Sequence, residues 1–201
     1  MDSTPKGHFW TGTSLVWDIL VKELSKSFYM INNIDKESRI INVSYSSNDV
    51  CNYIDCGSVH VDVQKSSLNK IGLSAYDFNI CESNSYITES SAPNQSGIQS
   101  PIICKNKRRP NLEGRMNIYL APEGSGTLVT VNSRYMLDIN LKSECDFYAP
   151  AGNLVDRRQE ENSYECSFDS RKPSLCHPAK GDAFMCYSTG TLESEILGLI
   201  N

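Results

Sequence analysis

Eight cysteines, Cys51, Cys56, Cys81, Cys104, Cys145, Cys166, Cys176 and Cys186, most tightly constrain what this chain can fold into. Several stand in stretches rich in Ser and Asn, where a reduced thiol would meet solvent and oxidants. An even number of cysteines in such surroundings reads as a disulfide set made in an oxidising compartment, either periplasmic or extracellular. Spacing alone leaves the connectivity open. It also argues against the other uses of cysteine. Zinc knuckles bring two ligands within about four residues of each other, whereas Cys166, Cys176 and Cys186 are widely spaced and only Cys176 and His177 adjoin. Cys51 and Cys56 lie ahead of an expected strand, not in the C-x-x-C that opens a helix and lowers a thiol's pKa. No metal and no cofactor is expected.

The formal net charge is -5, so the chain has no general attraction for nucleic acid or an anionic membrane. Its one basic run is Lys105-Asn106-Lys107-Arg108-Arg109, which lacks the interleaved aromatics that stack on bases. The plain reading of the run is a solvated flank of a long loop; the alternative makes Lys105, Lys107, Arg108 and Arg109 candidates for docking on an acidic protein surface, and nucleic acid is not an expected partner. No apolar run reaches the roughly 18–20 residues a membrane helix needs. Nor does a basic segment lead into an apolar one as in a signal peptide. An exported reading therefore expects that signal to have been removed ahead of Met1.

Residues 1–12 are polar and predict a flexible tether. A helix is predicted from Thr13 or Ser14, either of which can cap it by accepting from the first free N–H groups. Leu15, Val16, Ile19, Leu20 and Leu24 then form an apolar stripe at three- and four-residue spacing. Phe28 to Ile34 and Ile40 to Tyr45 predict a hairpin around the polar turn Asp35 to Arg39. Val59, Val61 and Val63 alternate with His60 and Asp62, as in a half-buried third strand. Residues 64–112 lose the pattern, with Ser, Asn, Pro and Gly dominant from Ser83 to Pro101. A loop this long in a compact domain is stapled or functional, and position alone suggests a bridge between Cys81 and Cys104, which flank it.

Alternation returns with Met116, Ile118 and Leu120. After a turn at Ala121 to Gly126 it continues through Val129, Val131, Tyr135, Leu137 and Ile139, which predicts a long antiparallel hairpin with one buried face. A second cysteine-bearing excursion covers 142–182. Ala183 to Tyr187 reads as a last strand. Thr191 then caps a closing helix with Leu192, Ile196 and Ile200 inward and Glu193 and Glu195 near its positive end. The fold class expected is α+β: one domain over 13–201, a single antiparallel sheet with helices on one face and long disulfide-stapled loops.

Catalytic patterns are weak. The G-x-S-x-G elbow is missing, and Gly124-Ser125-Gly126 reads as a hairpin turn. His8, His60 and His177 read as solvent-exposed or locally bonded. Of two glycosylation patterns, Asn42-Val43-Ser44 falls within a predicted strand and Asn94-Gln95-Ser96 in the loop, so only Asn94 reads as available.

The segment Ser14 to Tyr45, with Trp17 in the helix and Asp35 leading the turn, is similar to repeats of bacterial envelope lipoproteins. That segment resembles the lipoprotein C subunit of the outer-membrane β-barrel assembly machine, while Asn52-Tyr53-Ile54-Asp55-Cys56-Gly57 and Met185-Cys186-Tyr187-Ser188-Thr189-Gly190-Thr191-Leu192-Glu193 resemble uncharacterised lipoproteins of that general type. The resemblance implies a membrane-tethered periplasmic accessory protein of assembly or secretion, with a lipid anchor upstream and protein partners in the cell envelope. It carries over no catalytic residue. It also implies a bridge between Cys56 and Cys186, which stand beside the similar motifs.

The reading that results is a non-enzymatic, exported envelope protein that presents loops to protein partners, with contact regions at Lys105 to Arg109 and around Asp156 to Glu161. A secreted recognition or adhesion module is the second reading. An enzyme with Cys or His chemistry drawn from distant loops is the third. Alkylation of denatured, unreduced protein from its native source should label no cysteine or two; labelling of seven or eight would overturn the export argument.

Overall fold

The computed structural model describes residues 7–61, 76–93, 97–177 and 183–200. Among the described residues the chain is mostly β, 64% strand and 15% helix, built on a multi-stranded antiparallel sheet. This corrects the α+β expectation of one sheet with helices on one face and long stapled loops. Most of what composition marked as loop is strand.

The first strand, β1 (Gly7–Thr11), pairs with a later strand, so these residues are not the tether expected over 1–12; residues 1–6 lie outside the described residues. Helix α1 (Thr13–Lys26) buries Val16, Trp17, Leu20 and Leu24 along the expected stripe, although Leu15 points out. Its cap is Gly12, while the Thr13 hydroxyl bonds that of Thr127 at 2.8 Å. Strands β2 (Met30–Asp35) and β3 (Ile40–Ser47) form the expected hairpin, with a register shift between Ile31 and Asn33. A 3-10 turn (Val50–Asn52) leads into β4 (Ile54–Asp55) and β5 (Ser58–Val61). Val63, the end of the expected third strand, lies outside the described residues.

The excursion expected over 64–112 holds β6 (Tyr76–Asn79), β7 (Asn84–Pro93) and the start of β8 (Gln99–Glu123). Part of it, 64–75 and 94–96, lies outside the described residues, Asn94 included. After a turn at Gly124 and Ser125 comes β9 (Gly126–Tyr148). The second excursion, expected over 142–182, is the end of β9, then β10 (Leu154–Asp169) and β11 (Ser174–Cys176). The chain closes with β12 (Phe184–Ser188) and α2 (Thr191–Gly198). Gly190, at φ 76°, holds the cap position expected for Thr191, because glycine adopts that left-handed conformation without a Cβ clash.

The main sheet runs β1-β9-β8-β3-β2, with β10 also on β9 and β7 also on β8. Strands β11-β12-β4 form a small second sheet, and β5 pairs with β6 alone. Propensity misjudged β7 and the first half of β8 because strand propensity reports packing more than backbone preference. Residues 106, 108 and 110 of β8 do face inward on alternate positions. They are Asn, Arg and Pro, so no hydrophobic alternation marks the strand. Along β10, every residue from Leu154 to Ser163 is exposed, and no alternation can appear there either.

The chain groups into two compact units. The first comprises Met1–Cys56, Asn111–Leu137 and Glu165–Asn201. It has a dense apolar core: Leu20 of α1, Ile41 of β3, Ile118 and Leu120 of β8, Val129 of β9, and Leu192 and Ile196 of α2 are all fully buried. The second comprises Gly57–Pro110 and Asp138–Tyr164. Its described apolar interior is thin, chiefly Ile80, Cys81 and Ile139, and Asn106 and Arg108 are buried with them.

None of the eight cysteines is a free thiol. In the first unit, Cys56 joins Cys186, the pairing the resemblance implied. The ladder explains it: Tyr187 lies opposite Asp55 and Ser188 opposite Ile54, so the next pair along is Cys186 with Cys56. Cys166 joins Cys176, whose sulfur lies 3.7 Å from that of Cys186. Neither sulfur carries a proton, so this is a packing contact between two buried bridges. In the second unit, Cys104 of β8 joins Cys145 of β9. The expected Cys81–Cys104 bridge is therefore incorrect: Cys104 lies in a strand whose β9 neighbour carries Cys145, and proximity along the chain did not decide its partner. Cys51 and Cys81 are also disulfide-bonded. These bridges belong to a chain folded in an oxidising, exported environment.

With so thin an apolar interior, the second unit depends on its staple. Replacing Cys104 and Cys145 together by Ser should lower stability by roughly 2–4 kcal/mol. Hydrogen exchange should then show faster opening of β7 than of β3; equal protection of β7 in the wild type and the double variant would show that the bridge carries no such role.

Candidate charged cleft

Within the second unit, β7, β8, β9 and β10 frame an open cleft of about 540 Å³. Lys105 and Lys107 project from β8 because they occupy its odd, exposed positions, flanking the inward Asn106. Lys142 and Glu144 reach the cleft from β9, and Glu160 and Glu161 from β10. Three cations and three carboxylates thus share one depression. The segments around Lys105–Arg109 and Asp156–Glu161, which the sequence suggested as separate contact regions, converge here.

Beneath the charges lies a polar network. The Ser143 hydroxyl donates to Asn106 Oδ1 at 2.7 Å, and Asn106 Nδ2 donates to the Thr88 hydroxyl at 3.0 Å. These bonds account for a buried asparagine that would otherwise cost stability. On the rim, Lys142 pairs with Glu161 at 3.1 Å. Arg157 donates to Asp146 at 2.6 Å and lies 3.4 Å from Glu144. Its hydrogen bond and charge hold the Asp146 carboxyl below the usual range, and Arg157 itself is shifted up. Apart from Asp146, whose side chain is largely covered, these groups are open to solvent, so their worth is in recognition more than in stability.

Not every member of the basic run serves this cleft. Arg108 is buried, with its guanidinium 5.4 Å from the Phe78 ring centre and directed at the Asn79 and Glu82 carbonyls, so it is not the surface docking cation expected. Its inward position on β8 decides this. Arg109 is exposed but does not line the cleft. Lys142 and Glu144 were missed by the sequence reading. Continuing the β9 alternation two and four residues beyond Asn140 would have found them.

Other polar features lie elsewhere. His60 Nδ1 bonds the Asp77 carboxylate across the β5–β6 pair, with both side chains exposed, and His177 is exposed beside Cys176. In the first unit, Tyr29 donates to Glu195 at 2.7 Å, and Tyr45 and Tyr53 share a hydroxyl contact at 2.9 Å. Glu193 stands in the first turn of α2, as expected, and is buried there. Both its oxygens lie within 3.3 Å of the Tyr135 hydroxyl, which also meets Ser188 at 3.1 Å. The Tyr135 ring stacks on Phe168. Among the described residues, no helix is long and apolar enough to cross a membrane. Comparison of the chain with protein-family models, with curated proteins and with solved structures gives no match.

Burial is the largest cause raising Tyr29, Tyr53 and Tyr135 above the ordinary tyrosine range, followed by a neighbouring hydroxyl or glutamate. Each holds its proton more tightly folded than unfolded. The stability this contributes is complete below the unfolded value of about 10 and is lost as pH rises from there toward the folded values. Denaturant titrations should show stability falling above about pH 10. Tyr135→Phe should flatten that fall and cost about 1–3 kcal/mol at neutral pH, because Glu193 loses its donor. An unchanged alkaline slope would remove Tyr135 from this account.

Proposed function

We propose that the chain is a non-enzymatic accessory protein of the bacterial cell envelope, held in the periplasm or at the outer membrane, that binds other envelope components through its charged cleft. The observation that carries this reading is the convergence of Lys105 and Lys107 with Glu160 and Glu161 on one open depression. Small-molecule sites are enclosed and mostly apolar, with a few placed polar groups. This depression is open, with a polar floor and a rim balanced between the two charges. Such a rim suits a protein surface of complementary pattern, where charge sets register and association rate more than raw affinity.

The envelope assignment rests on the disulfides, which need an oxidising compartment, and on the resemblance to envelope lipoproteins. The Cys56–Cys186 bridge supports it by tying together the two short motifs that carry the resemblance. A role in assembly or secretion follows from that resemblance alone.

Affinity capture from solubilised envelopes tests the reading. Lys105→Glu with Lys107→Glu should weaken capture of the partner by about an order of magnitude, with a steeper loss at low salt. Arg109→Glu, outside the cleft, should change it far less. Equal capture by the wild type and the Lys105/Lys107 variant would rule the cleft out as the contact surface.

A further inference from the structure

Strand β10 pairs with β9 along one edge, and among the described residues no strand pairs with its other edge. From Leu154 to Ser163 it is exposed on both faces. A long edge of unpaired N–H and C=O groups is a template for another strand, and natural edges are commonly blunted by Pro or by charge placed to repel. Between Leu154 and Asp169 there is no proline. The charges are ordered Arg157-Arg158-Gln159-Glu160-Glu161, so that reversing the direction of the strand exchanges their signs about Gln159.

We propose that β10 is a self-association strand, through which two copies of the chain pair antiparallel across a two-fold axis at Gln159. In that register Arg157 faces Glu161 of the second copy on one side of the extended sheet. Arg158 faces Glu160 of the second copy on the other. Symmetry makes each pair twice, giving an isologous contact. Farther out, Leu154 meets Tyr164 of the second copy and Val155 meets Ser163, which covers two side chains left 51% and 69% exposed. Opposite charges placed directly across a strand pair stabilise it, and like charges there destabilise it.

The same charges exclude the competing arrangements. Sliding the strands by two positions puts Arg158 against its own copy in one direction and Glu160 against its own copy in the other. Slipping by one keeps only one kind of Arg–Glu pair. Parallel pairing in register sets Arg on Arg and Glu on Glu. The existing contacts are compatible with the proposed register. Arg157 holds Asp146 with one edge of a guanidinium that carries further donors, and Glu161 can accept from a second partner besides Lys142. Arg158 is steadied by Asp156 at 2.8 Å and by the Phe147 ring at 4.7 Å.

Sedimentation analysis of the purified chain alone tests this, independently of any partner held by the cleft. The wild type should show a concentration-dependent dimer at low ionic strength, weakened at about 1 M salt, where screening acts within roughly 3 Å. Arg157→Glu with Arg158→Glu should be monomeric, as should Glu160→Arg with Glu161→Arg. An equimolar mixture of the two should dimerise again, since every facing pair is then of opposite sign. A chain carrying all four changes should also dimerise, and circular dichroism should show each variant folded. A monomeric wild type, reversals that stay dimeric, or a mixture and four-fold variant that stay monomeric would each overturn the proposal.

Discussion

Strands β8 and β9 are 25 and 23 residues long, and each passes through both compact units. Inward positions alternate without a break from Asn106 to Leu120 on β8 and from Thr127 to Ile139 on β9. Every other strand of the main sheet pairs with one of these two, except β2, which reaches the sheet through β3. The rest of the fold depends on that sustained register. A slip of one residue would turn the whole inward row to solvent.

What the inward row is made of differs between the units. In the first it is Met116, Ile118, Leu120, Val129, Val131 and Leu137, enough apolar surface to hold the sheet and helices by burial. In the second, Asn106 and Arg108 take the same kind of position, and hydrogen bonds, a ring contact and the Cys104–Cys145 bridge carry more of the load. Small cores are commonly supplemented in this way. Outward positions of the second unit, relieved of any packing role, carry the lysines and glutamates of the cleft.

The two segments marked from sequence as contact regions meet because their strands flank β9, at neighbouring positions in one sheet. Strand β10 then has two outlets: Glu160 and Glu161 line the cleft, and its free edge carries the charge order that suits a second copy. Polar groups inside the first unit play another part. Tyr135 and Glu193 form a buried pair that specifies how α2 meets β9, since a carboxylate there needs its donor.

Much of the first unit was legible from residue order. The stripe of α1, the β2–β3 hairpin, the turn at Gly124 and the alternation on either side of it all follow from local periodicity. The oxidising environment follows from eight cysteines in polar stretches. In the second unit the strand period shows only in β8, on polar side chains, and Leu154 to Ser163 of β10 are exposed throughout, so composition read β7, β10 and the first part of β8 as loop. Only the tertiary structure decided that Arg108 is buried while Lys105 and Lys107 are exposed, and that Cys104 meets Cys145. Both depend on which strands become neighbours. Pairing brings together residues far apart in the chain, and local sequence records the period of a strand but not the partner that completes it.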